Sequence, residues 1–223
     1  MLKQYAVIGL GRFGSAIARA LYEANNEVLG IDINEEIIDE HQDIVSHAII
    51  ADSTDETSLK NVGIRNFDTV IVSIGDNMQA SILTVVILHE LGVKHIVAKA
   101  LNKHHGLVLS KVGASEVVYP ERDMALRIAH KLMSPNIIDY IELSKEYSIE
   151  EILIPSKIVG KSLINLNIRA RYNVNVIAIR HKNEEMEIAP DPHYIFKDHD
   201  IMIVIGKNKE IKGLANFKEF INE

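Results

Sequence analysis

Gly9-Leu10-Gly11-Arg12-Phe13-Gly14 follows an apolar run, Tyr5 to Ile8, and opens a stretch in which Phe13, Ile17, Ala20, Leu21 and Ala24 recur at helical spacing. This strand, glycine turn and helix constrain the fold more than any other feature of the chain. The turn needs glycine at position 9 for its backbone angles, at 11 so that a phosphate can approach the main chain, and at 14 so that helix and strand can touch. A helix that starts there aims its free amide groups at whatever occupies the turn. Asp32 comes 21 residues after Gly11, at the end of the second apolar run. A carboxylate in that place accepts hydrogen bonds from ribose hydroxyls and repels a 2′-phosphate.

Further apolar runs follow at regular intervals: Val28 to Ile31, Ala48 to Ala51, Val70 to Ser73, Ile96 to Ala98 and Val117 to Tyr119. None shows the polar alternation of a one-sided sheet, so each suits a parallel strand buried on both faces. The segment Ile82 to Leu88 is β-branched enough to pass for a strand. The gap between Ser73 and Ile96 must hold a parallel crossover, however, so the length predicts a helix over Asn77 to Leu91. That helix is apolar nearly all round, which points either to a second subunit covering it or to a place deep in its own core. Met124, Ala125, Ile128, Ala129, Leu132 and Met133 mark a final amphipathic helix. The predicted fold is α/β: a Rossmann-like doubly wound parallel sheet over residues 1–134, followed by a smaller α+β domain over 135–223.

The second region reads as a polar stretch from Ser144 to Glu151 leading to a strand at Ile152 to Ile154. A short helix at Ser162 to Leu166, strands at Val174 to Ile179 and Ile201 to Ile205, and a helix from Lys209 to about Phe220 come after it. A unit of this size folds alone only marginally, and packing on a symmetry mate would remedy that. The chain has no cysteine, which excludes disulfides and thiol chemistry. With 24 basic and 31 acidic side chains and neither half basic, a nucleic-acid partner is disfavoured. No signal-like start and no long apolar segment are visible, so the expected location is cytoplasmic.

Arg12 departs from a plain dinucleotide turn. A guanidinium there suits the free terminal phosphates of ATP or ADP, although an exposed arginine needs no ligand to explain it. Asp52 and Ser53, after the third strand, reach either the adenosine or, with Thr54, the start of a helix over Glu56 to Val62 as its cap. A small NAD-dependent oxidoreductase is the competing reading, since the glycine turn and Asp32 serve NAD or NADH equally well. It lacks support from a Tyr-x-x-x-Lys pair, a His-Glu-x-x-His pair or a Gly-x-Ser-x-Gly elbow. No catalytic residue is assigned, and the chain is read as a non-enzyme.

Tyr5 to Gly14, Asp32-Ile33-Asn34, Ala51-Asp52, Gly75-Asp76-Asn77 and Tyr119-Pro120-Glu121 resemble the regulator-of-potassium-conductance (RCK) family, and within it the cytosolic Ktr-type potassium-transport subunits. The resemblance runs the length of the chain. It implies that Gly9, Gly11, Arg12, Phe13 and Gly14 meet nucleotide phosphates, Asp32, Ile33 and Asn34 the ribose, and Asp52 and Ser53 the adenosine. Ile74, Gly75 and Asp76 would form the crevice floor, with Lys99, Ala100, Leu101 and His105 on its far side. Glu121 would hold a divalent cation between the phosphates of paired subunits, whereas by chemistry alone it is equally a favourable charge at a helix start.

The same resemblance implies a cyclic di-AMP groove shared by two C-terminal domains. Leu163, Ile164, Ile168 and Ala170 would face the bases, and Arg169, Asn175, Val176 and His193 the phosphates and base edges. Without it, Leu163 to Ile168 reads as core and Arg169 as a solvated charge. A homo-oligomeric ring of dimers, an octamer, beneath a membrane-embedded potassium-transporting subunit is the implied assembly. ATP and ADP would favour different subunit orientations through Arg12 and Glu121.

Overall fold

A computed structural model describes residues 3–133 and 136–215, except for the side chain of His130. The chain divides into two compact units, Met1–Asp123 and Met124–Glu223. Strands and helices alternate through the first: β1 (Gln4–Ile8), α1 (Arg12–Glu23), β2 (Glu27–Asp32), α2 (Glu35–His41), β3 (His47–Ile50), α3 (Glu56–Asn61), β4 (Thr69–Val72), α4 (Met78–Glu90), β5 (Ile96–Lys99), α5 (Lys103–Lys111) and β6 (Glu116–Val118). Helix α6 (Pro120–Met133) follows and runs into the second unit.

The six strands pair in the order β3-β2-β1-β4-β5-β6, and every pairing is parallel. This doubly wound order reverses direction between β1 and β4, which opens a crevice beyond their carboxyl ends. Ala6 to Ile8 and Val70 to Val72 are buried in the two central strands, as the apolar runs predict. The edge strands β3 and β6 are only partly covered, because each has a single neighbour and one flank open to solvent.

Helix α4 forms where length predicts it, despite its β-branched residues. Asn77 caps its start by accepting from Ala80 N at 3.0 Å, and Gly92, with φ +77°, turns the chain out after Leu91. Its Thr84, Val85, Ile87 and Leu88 are buried within the first unit, and Leu83 is exposed. The sheet and neighbouring helices of its own unit thus cover most of α4, in line with the second of its two readings, while Met78 and Leu83 stay exposed. Exposed large apolar side chains are also found on α5, at Leu107 and Val108, and on α6, at Met124, Leu126, Ile128, Leu132 and Met133.

The second unit holds β7 (Ile137–Glu142), β8 (Tyr147–Leu153), α7 (Leu163–Leu166), α8 (Ile168–Tyr172), β9 (Asn175–Arg180), β10 (Met186–Ile188), β11 (Ile201–Lys207) and α9 (Asn208–Ala215). Its five strands pair antiparallel in the order β10-β9-β11-β8-β7. The stretch read as polar from Ser144 is mostly strand β8. Its inward positions are Ser148, Glu150 and Ile152, so two of three buried places carry polar groups, and Ser148 Oγ donates to Glu150 Oε1 at 2.8 Å. The core is formed by Ile137, Ile152, Phe196, Met202, Val204 and Leu214. Residues 216–220 of the last expected helix, and Pro135 at the expected boundary, lie outside the described residues.

Candidate functional site

The crevice at the β1–β4 switch is built around the glycine turn. Gly9 takes φ +88°, and its carbonyl accepts from Ser73 Oγ at 2.7 Å, which ties the turn to the end of β4. A Cβ on Gly14 would stand 1.9 Å from that same carbonyl, so only glycine lets α1 begin so close to β1. A Cβ on Gly11 would meet nothing within 4 Å. Gly11 is the N-cap of α1 and offers no side-chain acceptor, which leaves the first amides of the helix turned to open space.

Asp32 is fixed by two main-chain amides. Leu10 N donates to Oδ2 at 2.7 Å and Asn34 N to Oδ1 at 3.0 Å. The carboxylate is thus held at the lip of the turn, with acceptor capacity left for hydroxyl donors. The crevice encloses about 380 Å³, and its lining includes Gly9, Gly11, Asp32, Asp52, Ile74 and Gly75. Ile33, Ser53 and Asp76 also contribute, so the lining takes in most of the residues singled out for phosphate, ribose, adenosine and floor. Thr54 and Asn77 belong to it as well, although the sequence places them at helix starts and gives neither a ligand role.

The two readings of Asp52 separate here. Asp55, not Asp52, caps α3: its carboxylate accepts from Thr57 N at 3.0 Å and Ser58 N at 3.2 Å. The Ser58 hydroxyl, donating at 2.7 Å, is the foremost cause that holds this carboxyl below the usual range. Asp52 only closes a local turn onto Thr54 and faces the crevice. Ser53 is buried and shares a 2.8 Å hydrogen bond with Thr84, so it anchors the loop to α4.

A second group of the expected residues gathers beside the crevice rather than in its lining. Lys99 pairs with Glu121 at 2.6 Å and lies 5.8 Å from the Phe13 ring. That ammonium is the main reason the Glu121 carboxyl sits below its ordinary range, and Arg12 adds to it. Ala100 is buried and Leu101 exposed. His105, only 1% exposed, supports the loop after β5 from beneath: its Nδ1 accepts from Leu101 N at 3.3 Å, and burial pushes the imidazole pKa down. Among the described residues no set of three or more histidine or acidic side chains is placed to hold a metal. Glu121 supplies one carboxylate where Mg²⁺ or Ca²⁺ takes about six or more oxygens, so a cation there would draw the rest of its shell from water, phosphate oxygens or a second copy.

In the second unit, the turn around Pro192 is bound to α7. Leu163 N donates to Tyr194 O at 2.9 Å and Ile164 N to Pro192 O at 2.7 Å. This brings exposed Ile164 and His193 onto one surface segment, and Arg169, Ala170 and Asn175 are exposed too. Leu163 and Val176 are partly buried against the core. Ile168 is 3% exposed and belongs to that core, so its expected role facing a base is corrected: it supports α8 from below.

Comparison with known proteins now decides the family. The TrkA-N domain model matches residues 5–120 and the TrkA-C domain model residues 149–218. The chain belongs to the RCK family. Among RCK relatives, it is 52% identical to Ktr system potassium uptake protein C of Bacillus subtilis over 211 residues, 95% of each chain. It is 45% identical to Ktr system potassium uptake protein A of the same organism over 214 residues, 96% of each. The crystal structure of the GsuK RCK domain aligns with a TM-score of 0.54 at 22% identity, covering 96% of this chain and 46% of that one. That likeness bears on the RCK fold alone.

Proposed function

We propose that this chain is the cytoplasmic regulatory subunit of a potassium-uptake system, a non-enzymatic member of a homo-oligomeric ring that docks on a membrane-embedded potassium-transporting subunit. The observation that carries this reading is the 52% identity across 95% of both chains to a Ktr potassium uptake protein. No described helix is long and apolar enough to cross a membrane, and in this reading the pore belongs to the partner.

The N-terminal domain, residues 1–134, binds ATP or ADP in the glycine crevice. Gly11 and the α1 amides receive phosphates, Asp32 the ribose, and Asp52 the adenosine edge, while Arg12 and Lys99 neutralise the terminal phosphates. A regulator must respond differently to its two ligands, and only a group that distinguishes them can shift the balance of states. ATP and ADP differ at the terminal phosphate, which lies on the Arg12 and Glu121 side. A divalent cation, where it binds, joins Glu121 to phosphate oxygens. The C-terminal domain, residues 135–223, takes cyclic di-AMP across a two-fold interface, with Ile164, Arg169, Asn175 and His193 repeated from each subunit. The eight-membered ring is part of the same proposal.

NAD remains the second reading, favoured by the placement of Asp32, whose carboxylate suits the ribose diol of either ligand. Calorimetric titration of the full chain with ATP, ADP, NADH and cyclic di-AMP, with magnesium present, tests both. The expected result is ATP and ADP at one site and cyclic di-AMP at half a ligand per chain. Arg12→Gln should weaken ATP by about tenfold or more and leave NADH nearly unchanged. Binding of NADH alone would overturn the proposal.

A further inference from the structure

Lys99 closes β5, and its ammonium has three neighbours at once. Nζ lies 2.6 Å from Glu121 Oε1, 5.8 Å from the centre of the Phe13 ring and 3.6 Å from where a Cβ on Gly75 would stand. Phe13 is in the first turn of α1, Gly75 lines the crevice, and Glu121 is in the first turn of α6. The charge therefore stands between the phosphate end of the crevice and the start of α6.

The two partners are not equally placed. The Lys99 side chain is 11% exposed and that of Glu121 66%. A nearly dry ammonium requires an anion beside it, whereas an exposed carboxylate has water as an alternative. If a second anion arrives next to Gly75, Lys99 gains by turning to it, and Glu121 loses little by returning to solvent. A phosphate carries more charge and more acceptor oxygens than a carboxylate, which favours the exchange.

We infer that Lys99 is an exchangeable cation: Glu121 holds it when no phosphate is bound, and a nucleotide phosphate entering at the start of α1 takes it over and releases the Glu121 carboxylate. This rests on the nucleotide reading of the crevice. Lys99 is then a phosphate-binding residue that makes phosphate binding and the freedom of the first turn of α6 depend on each other. By linkage, anything that occupies Lys99 from the Glu121 side opposes phosphate, to the same extent that phosphate frees Glu121.

The experiment is a double-mutant cycle on the full chain, titrating ADP by calorimetry in EDTA so that no divalent cation intervenes. Glu121→Gln should tighten ADP roughly three- to fivefold in the presence of Lys99, the scale of a partly exposed ion pair. In the Lys99→Gln background, where ADP binding is weaker overall, the same change should have almost no effect. Lys99→Met, which keeps the buried stem, replaces Lys99→Gln if the latter melts early. Lys99→Arg should restore the gain from Glu121→Gln. An equal gain in both backgrounds would mean only that a negative charge was removed, and would overturn the exchange while leaving the nucleotide site intact. Looser ADP binding by Glu121→Gln would overturn it as well. No binding of ADP by the wild-type chain would overturn the nucleotide reading and the exchange with it.

Discussion

Gly11 and Gly14 lie three residues apart on one turn yet answer to different neighbours. Gly14 is required by the protein itself, since its Cβ would collide with the carbonyl of Gly9, and Gly14→Ala should cost about 1–3 kcal/mol, read from chemical denaturation. Gly11 has open space around it, so Gly11→Ala should melt like the wild type and lose nucleotide affinity when titrated with ATP. The glycine spacing was legible in the sequence because it is a local pattern, and so was Asp32. What the sequence did not carry was that Lys99 and Glu121 form a pair, because they meet only when β5 and the start of α6 come together. His105 illustrates the same gap: the resemblance puts it on the far side of the crevice, and only the fold shows it buried beneath the loop after β5. Burial lowers its folded pKa below the ordinary 6.5, so its contribution to stability is present above that value and is lost as the pH falls through the lowered one. His105→Gln should flatten that part of the pH dependence of the melting temperature relative to wild type.

Elements were legible where one face or length governed them. The six parallel strands were found from their apolar runs, and α4 from the crossover distance despite its β-branched residues. The hairpin β7–β8 was missed because its inward positions include Ser148 and Glu150, and because Asp139 and Glu142 interrupt the apolar pattern of β7. Arg127 and Asp139 then fasten α6 to β7 in a two-pronged ion pair, a contact that no local pattern announces. Caps allow a direct separation of structure from binding. Asp55→Ala removes the α3 cap and should cost about 1 kcal/mol in chemical denaturation. Asp52→Ala should leave stability nearly unchanged and weaken ATP. A loss of stability equal to that of Asp55→Ala would contradict the assignment of Asp52 to the crevice.

At the scale of the whole molecule, α6 carries exposed Met124, Ile128 and Leu132 at four-residue spacing, with Leu132 77% exposed. A contiguous row of large apolar side chains on one helix marks an interaction surface, and the homo-oligomer of the proposed function gives it a second copy to meet. Leu132→Glu should therefore shift the sedimentation of the full chain towards the monomer while leaving the circular dichroism unchanged. The central claim, that this chain controls a potassium transporter, is tested most directly by potassium uptake in cells whose own uptake systems are deleted. Those cells would express a Ktr-type membrane subunit with the wild-type chain, with Gly11→Ala, or alone. Uptake that rises with the wild-type chain and fails to rise with Gly11→Ala is the predicted result. Uptake that is the same with and without the chain would contradict the account.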